Sequence, residues 1–236
     1  MINMNTSKIN IILKPGSVKI LTAYHLKMIA LVTMIIDHIG IVFFPEILML
    51  RIIGRTAFIL YAFMIVEGFI HTSSFHKYIK RMMIFCFLSE IPFDLAIHGK
   101  LIYLGHQNIF FTLILGIIGL KLLSKNQSIF KRILISLSCM FIAYILKFDY
   151  SWYGILVIFI FYYFRTNTVN KYLLTSIAGL FASAEVFVLQ FLSPIAFIPI
   201  SMYNHQQGTK TGIIYYSFYA LHLLMFWFIK TYRIIL

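Results

Sequence analysis

Asp37 and His38 stand side by side within Leu26-Lys27-Met28-Ile29-Ala30-Leu31-Val32-Thr33-Met34-Ile35-Ile36-Asp37-His38-Ile39-Gly40, a stretch that is otherwise almost wholly apolar. A charged carboxylate in hydrocarbon costs about 2.5–3.5 kcal/mol on the mildest scale, so the pair must face protein or a wet cavity and reads by default as a working site. An imidazole placed there can take up and return a proton near neutral pH. Other ionisable residues recur in the apolar runs. Arg51 and Arg55 lie four apart on one helix face, as do Glu90 and Asp94; Glu67, Asn108 and His222 join them. Adjacent helix residues point about 100° apart, which makes Asp37 a poor partner for the His38 ring. Glu90 or Asp94 is expected to orient His38 instead, leaving Asp37 to hold Arg55.

Each residue also has a plainer reading. Arg51 can snorkel to an interface. Arg55 can be one half of a structural ion pair with Asp37, Glu90 or Asp94. Asn108 can cap a helix. Glu67 can pair with Lys80 or Arg81, and His222 can be a buried, hydrogen-bonded core histidine. His106 and Trp152 fit ordinary interface residues. The basic cluster Lys77, Lys80 and Arg81 reads first as a topology signal and second as an anion site. Cys86 and Cys139, in separate apolar runs, read as packing residues, and no Cys/His spacing suggests a zinc site.

The elements that position these residues follow from composition. The 236 residues are 61% hydrophobic and 11% charged, whereas soluble domains carry about 25% charge. The apolar runs are continuous rather than alternating, which predicts an all-α, polytopic transmembrane helical bundle in one membrane domain, 23–236, behind a basic lead, 1–22. The first run is too long and too polar for a cleaved signal, so an uncleaved span entered from a cytoplasmic N-terminus is expected. Spans are expected near 24–44, 50–70, 79–97, 106–123, 130–147, 150–165 and 212–230. The stretch 170–202 is long for one helix and short for two, giving eight spans or nine. The formal charge of +13 sits between the runs. Loops 71–81, 121–132 and 165–171 are basic, against only Lys100 and Lys147 on the opposite side, which is the positive-inside pattern and not a nucleic-acid footprint. Nine spans would leave Lys230 and Arg233 outside, against that rule. Asp37 and His38 then lie about 15 Å beyond Lys27. The polar residues of six helices converge in the outer half, predicting a polar cavity reached from outside.

These residues, in order, resemble the TraX family: Leu26-Lys27-x-Ile29-Ala30 with Met34-x-Ile36-Asp37-His38-Ile39-Gly40; Arg51-Ile52-Ile53-Gly54-Arg55-x-Ala57-Phe58; Glu67-Gly68-Phe69-x-His71-Thr72; Tyr78-x-x-Arg81; Leu88-Ser89-Glu90-Ile91-Pro92-Phe93-Asp94; Asn108-x-x-Phe111-Thr112-Leu113; Tyr203-Asn204; and Tyr219-x-x-His222-Leu223. The resemblance implies a bacterial cytoplasmic membrane protein that acetylates the N-terminus of conjugative pilin, and it extends to membrane acyltransferases that carry acetyl groups from cytosolic acetyl-CoA to an outside acceptor. The chain departs from the family pattern at Ala220, where proline is usual, and at Glu90, where glutamine is common. It also departs at His205-Gln206-Gln207-Gly208, which replaces a Gly-Lys-Arg-Gly and so weakens an anion-binding role for that loop.

The first expectation is therefore a membrane acetyltransferase using acetyl-CoA as co-substrate and a peptide amine or glycan hydroxyl as acceptor. His38 would be the general base, useful because an α-amino group has a pKa of about 7.7–8.0. Arg55 would stabilise the thioester-derived oxyanion or hold Asp37. His222 would be a second acid/base or a positioning group, and an acetyl-histidine intermediate is an open alternative. Arg51, Glu67, Glu90, Asp94 and Asn108 would line the substrate site, and Lys77, Lys80 and Arg81 would meet the donor's phosphates. Two rivals are a proton-coupled transporter, which has the right ionisable residues but no internal repeat, and a non-catalytic assembly factor of a conjugation or secretion apparatus.

Overall fold

The computed structural model describes residues 19–125, 128–185 and 190–232, with the side chains of 184 and 185 left aside. Most of the expected basic lead lies outside the described residues. Those described form helices α1 (Ala23–Val42), α2 (Leu48–His71), α3 (Phe75–Phe93), a π-helical turn (Asp94–His98), α4 (Ile109–Lys125), α5 (Ile129–Ile145), α6 (Ser151–Tyr163), α7 (Thr168–Glu185), a 3-10 segment (Gln190–Ala196), α8 (Phe197–Ser201) and α9 (Ile214–Thr231). Among them the only extended pairings are two isolated bridges, Leu21 with Tyr203 and Gln107 with Phe148. The all-α expectation holds.

Local chemistry sets the helix ends. Thr22 opens α1, with His25 Nδ1 within 2.8 Å of its hydroxyl and accepting its backbone N–H at 3.2 Å. The Ser74 hydroxyl accepts the Lys77 N–H at the start of α3. Pro92 brings no N–H to α3, and the helix widens into the π turn just beyond it. The turn into α6 is tight, with left-handed backbone at Lys147 (φ 56°), Tyr150 (φ 61°) and Ser151 (φ 46°). Such conformations strain residues with a Cβ.

The chain runs up and down. Lys27, Glu67, Phe75, Lys121, Arg165, Lys171 and the 203–211 loop gather at one end, tied by Asn204 N–H to Leu21 O (2.8 Å), Ala23 N–H to Gln206 O (2.8 Å) and Lys27 Nζ to Thr211 Oγ1 (3.3 Å). We call this the basic end. Arg51, Asp94, His106 and Asp149 gather at the opposite end. The ambiguous stretch resolves into a full helix, α7, and a broken return pass. Phe191 N–H meets Ser183 Oγ at 2.8 Å, and the Phe197 ring stacks on Tyr172 at 4.0 Å, so 190–201 runs antiparallel to α7. The following loop starts α9 at the basic end.

The core is apolar and centred on α2, where Phe58, Ile59, Leu60, Ala62 and Val66 are all but fully buried, against Leu26 and Ala30 of α1 and Ile155, Ile158 and Phe161 of α6. Among the described residues two helices, α1 and α2, are long and apolar enough to cross a membrane by those measures alone. Eight or nine spans goes beyond what helix length and apolarity establish.

Candidate active site

Helices α1 and α9 run in parallel, with Lys27 facing Tyr215 and Phe43 facing Phe226, and between these contacts His38 meets His222. His222 Nδ1 lies 2.8 Å from the Phe218 carbonyl oxygen. A carbonyl can only accept, so Nδ1 carries the proton and the neutral His222 ring offers a lone pair at Nε2. His38 Nδ1, 2.7 Å away, therefore donates to His222 Nε2. The network assigns His38 the Nδ1–H tautomer and leaves its Nε2 as the basic nitrogen. The two rings stack with centroids 5.0 Å apart, and Tyr219 packs edge-on at 5.9 Å. The orienting group expected from Glu90 or Asp94 is thus a second histidine, one helical turn past the backbone carbonyl to which it donates.

Asp37 behaves as expected and holds Arg55, whose Nη2 lies 3.1 and 3.0 Å from its two oxygens. Arg51 joins the same carboxylate at 3.0 Å and also reaches the Asp37 carbonyl at 3.3 Å. Its snorkelling reading is corrected, because α1 and α2 approach closely enough for the side chain to turn inward. Gly54, between the two arginines, makes that approach possible: a Cβ there would fall on the Asp37 carboxylate. The Arg55 guanidinium also lies 5.5 Å over the Tyr150 ring.

Glu90, Asp94 and Asn108 gather in a separate lash. Glu90 accepts both the backbone N–H (3.2 Å) and the side-chain amide of Asn108. Asn108 in turn donates to Cys86 O and caps α4 by accepting Phe110 N–H. Asp94 accepts Tyr103 N–H at 2.7 Å. These three residues bind the loop between the π turn and α4, and none borders the cavity at His38. A second tie crosses nearby. His106 Nε2 lies 3.3 Å from Asp149 Oδ1, and Gln107 and Phe148 pair in a short bridge. Burial depresses the His106 pKa, but the hydrogen bond and charge of Asp149, with Glu90 and Asp94 behind it, raise it overall.

Three cavities follow one another along α1 and α2. One of about 40 Å³ is bordered by Asp37, His38, Gly54, Tyr61, Asp149, Tyr150 and Tyr219. It shares Met34, Tyr61, Ile109 and Tyr219 with the next, of about 90 Å³, which extends past Tyr78, Tyr215 and Tyr216 to Lys27. That one shares Lys27 and Met64 with a third, of about 330 Å³, at the basic end beside Glu67, His71, Tyr203, His205 and Gln207. Glu67 pairs with Arg165 at 2.9 Å rather than with Lys80 or Arg81, because the α6–α7 turn folds over the end of α2. Lys77 and Lys80 are exposed and border none of the three cavities. Arg81 lies 5.3 Å over the Tyr216 ring, at the wall of the middle one.

Sequence reasoning passed over Lys27, Tyr61, Tyr219 and Asp149 as site residues. The first was detectable: Lys27, Met34 and His38 fall seven and four residues apart on one face of α1. Asp149 was legible only as one of the polar residues converging at the outer depth; a strained turn and not a helical period brings it to the cavity.

Two comparisons carry weight beside this geometry. The model of a family described as TraX protein matches residues 23–230. The chain is 26% identical over 230 residues to a probable fimbrial assembly protein, FimC of serogroup H1, from Dichelobacter nodosus, covering 86% of this chain and 93% of that one. No solved structure matches.

Proposed function

We propose that this chain, which belongs to the TraX family, is a multi-pass membrane acyltransferase that moves an acetyl group from acetyl-CoA at its basic end to an amine or hydroxyl presented at the opposite end. The observation that carries the reading is the tautomer-fixed His38–His222 pair beside the last of a series of cavities that starts at the basic end. The membrane part has separate support. Leu134, Leu137 and Phe141 of α5, Phe87 and Leu88 of α3, and Leu221 and Met225 of α9 are exposed on the outside of the bundle. Soluble monomers seldom show that much contiguous apolar surface, and a bilayer covers it. Helices α3, α7 and α9, at 18 or 19 residues, fall within the range that spans hydrocarbon. Basic residues at one end give that end a cytoplasmic side.

In the proposed step, His38 Nε2 takes a proton from the acceptor nitrogen or oxygen as its lone pair attacks the thioester carbonyl. The tetrahedral oxyanion finds O–H donors in Tyr61, Tyr150 and Tyr219 around the cavity. Collapse breaks the C–S bond, and the His38 proton goes to the departing thiolate. His222 keeps the ring oriented and shares the developing charge, much as a buried carboxylate does in a hydrolase triad. The Asp37–Arg51–Arg55 cluster fixes α1 against α2 beside the base, so Arg55 holds Asp37 rather than acting on the oxyanion. The name of the D. nodosus relative supports a pilus or fimbrial subunit amine as acceptor.

Thiol release from acetyl-CoA by the purified protein in nanodiscs tests this. The reading expects turnover that depends on an added amine and falls about 10²–10⁴-fold in His38→Gln. Turnover indifferent to His38 would place the base elsewhere, no turnover by the wild type would favour the assembly-factor reading, and proton flux without acyl transfer would favour a transporter.

A further inference from the structure

Helix α6 turns two different faces to its surroundings. Gly154 and Phe161 pack on Phe58 and Phe63 of α2. Trp152, Leu156, Ile160 and Tyr163, spaced about one turn apart, form the floor of an open groove of about 600 Å³. Its walls are Ser136 and Met140 of α5 on one side and Leu174, Ile177 and Phe181 of α7 on the other, both helices packing on α6. None of these residues borders the three cavities along α1 and α2. The two ends of the groove differ. From Trp152 to Tyr163 the walls are apolar apart from Ser136 and the Tyr163 phenol. At the basic end stands Arg132, one turn before Ser136 and two before Met140, and so on the same face of α5. It lies at the mouth, close enough for its charge to act on the Tyr163 phenol. Lys131 beside it is exposed. Among the described residues no carboxylate borders the groove.

We propose that this groove seats an acyl chain of one anionic phospholipid from the cytoplasmic leaflet, with the lipid phosphate at Arg132 and Tyr163. The inference rests only on the membrane part of the proposed function and adds a ligand that the acyl transfer does not use. Charge and length both select the occupant. A guanidinium and a phenol at one end of an apolar trough match an anionic head on a hydrocarbon tail, and an arginine fork pairs well with phosphate. Basic residues beside the cytoplasmic leaflet attract its anionic lipids. The groove runs about 16 Å along α6 at 1.5 Å per residue, close to half of a hydrocarbon core about 30 Å thick. That is the depth of one leaflet, whereas a transmembrane helix of a partner would need a track across both. A second copy seated groove to groove by a two-fold axis would set Arg132 against its own counterpart and bring no carboxylate to it.

The test offers the full-length protein in detergent equal amounts of dioleoylphosphatidylglycerol and dioleoylphosphatidylcholine and counts retained lipid by native mass spectrometry. The wild type should keep one phosphatidylglycerol per chain, in preference to phosphatidylcholine by about five- to tenfold. Arg132→Gln should bring retention of the anionic lipid down to that of the zwitterionic one. Ile177→Trp, at a groove wall residue that is 39% exposed, should fill the trough and lower retention of both lipids about tenfold. Equal retention of the two lipids by the wild type, a comparison that needs no variant, overturns the inference, and so does retention that Ile177→Trp leaves unchanged. A dimer that added lipid does not disperse and that Ile177→Trp does would assign the groove to a second copy and overturn it as well. A chain that stays dispersed in buffer with neither detergent nor lipid refutes the membrane reading itself, a result distinct from a lost lipid preference.

Discussion

At the scale of single residues, the account depends on where one proton sits. The Phe218 carbonyl fixes the His222 tautomer, which fixes that of His38. His222→Phe keeps the ring stacking on Phe218 but removes the acceptor. It should lower kcat about 100-fold with KM nearly unchanged, as steady-state kinetics would show, because orientation of the base is lost and not binding. A parallel fall in affinity would place His222 in acceptor binding instead. The ion cluster makes a stability prediction. Asp37→Ala leaves two guanidiniums facing each other in a buried site and should cost about 3–5 kcal/mol. Asp37→Ala with Arg55→Ala should recover part of that loss in thermal unfolding in detergent.

At the scale of elements, much was readable. Asp37, His38, Arg51 and Arg55 lie on long apolar helices, where periodicity is strong and a glycine between two arginines marks a close crossing. Gly54→Ala should destabilise by about 1–3 kcal/mol through overpacking, whereas Ile53→Ala, one residue away and 38% exposed, should change stability little. The roles of Glu90 and Asp94 were not readable. Their spacing showed a shared face, but only the folded loop shows that Asn108 and Tyr103 occupy that face. The return pass at 190–201 was equally opaque, since Pro194 and the 3-10 turns erase the period of 3.6. The His106–Asp149 tie at the loop carries a pH signature. Its raised folded pKa means the stabilisation is fully present below the free imidazole value of about 6.5 and is lost as pH rises through the folded pKa. Amide exchange in residues 99–108 should therefore be slower at pH 6 than at pH 8, after correction for intrinsic rates; equal protection would exclude the tie.

At the scale of the whole molecule, the proposal requires two ends on two sides of a membrane. Composition and loop charge pointed to that arrangement, and the gathering of Lys27, Lys121, Arg165 and Lys171 at one end gives it a geometric form. The two native cysteines are buried, so introduced thiols can report sidedness. His76→Cys should label only from the cytoplasmic side and Leu104→Cys, 80% exposed, only from the outside. Labelling of both from one side would end the multi-pass reading. The most direct test of the central claim uses sealed inverted membrane vesicles, with radiolabelled acetyl-CoA added outside and an N-terminally free peptide trapped within. The account predicts acetylated peptide inside the vesicles with the wild type and none above background with His38→Gln. Equal acetylation in the two, or none in either while an active membrane acetyltransferase succeeds in parallel, would contradict it.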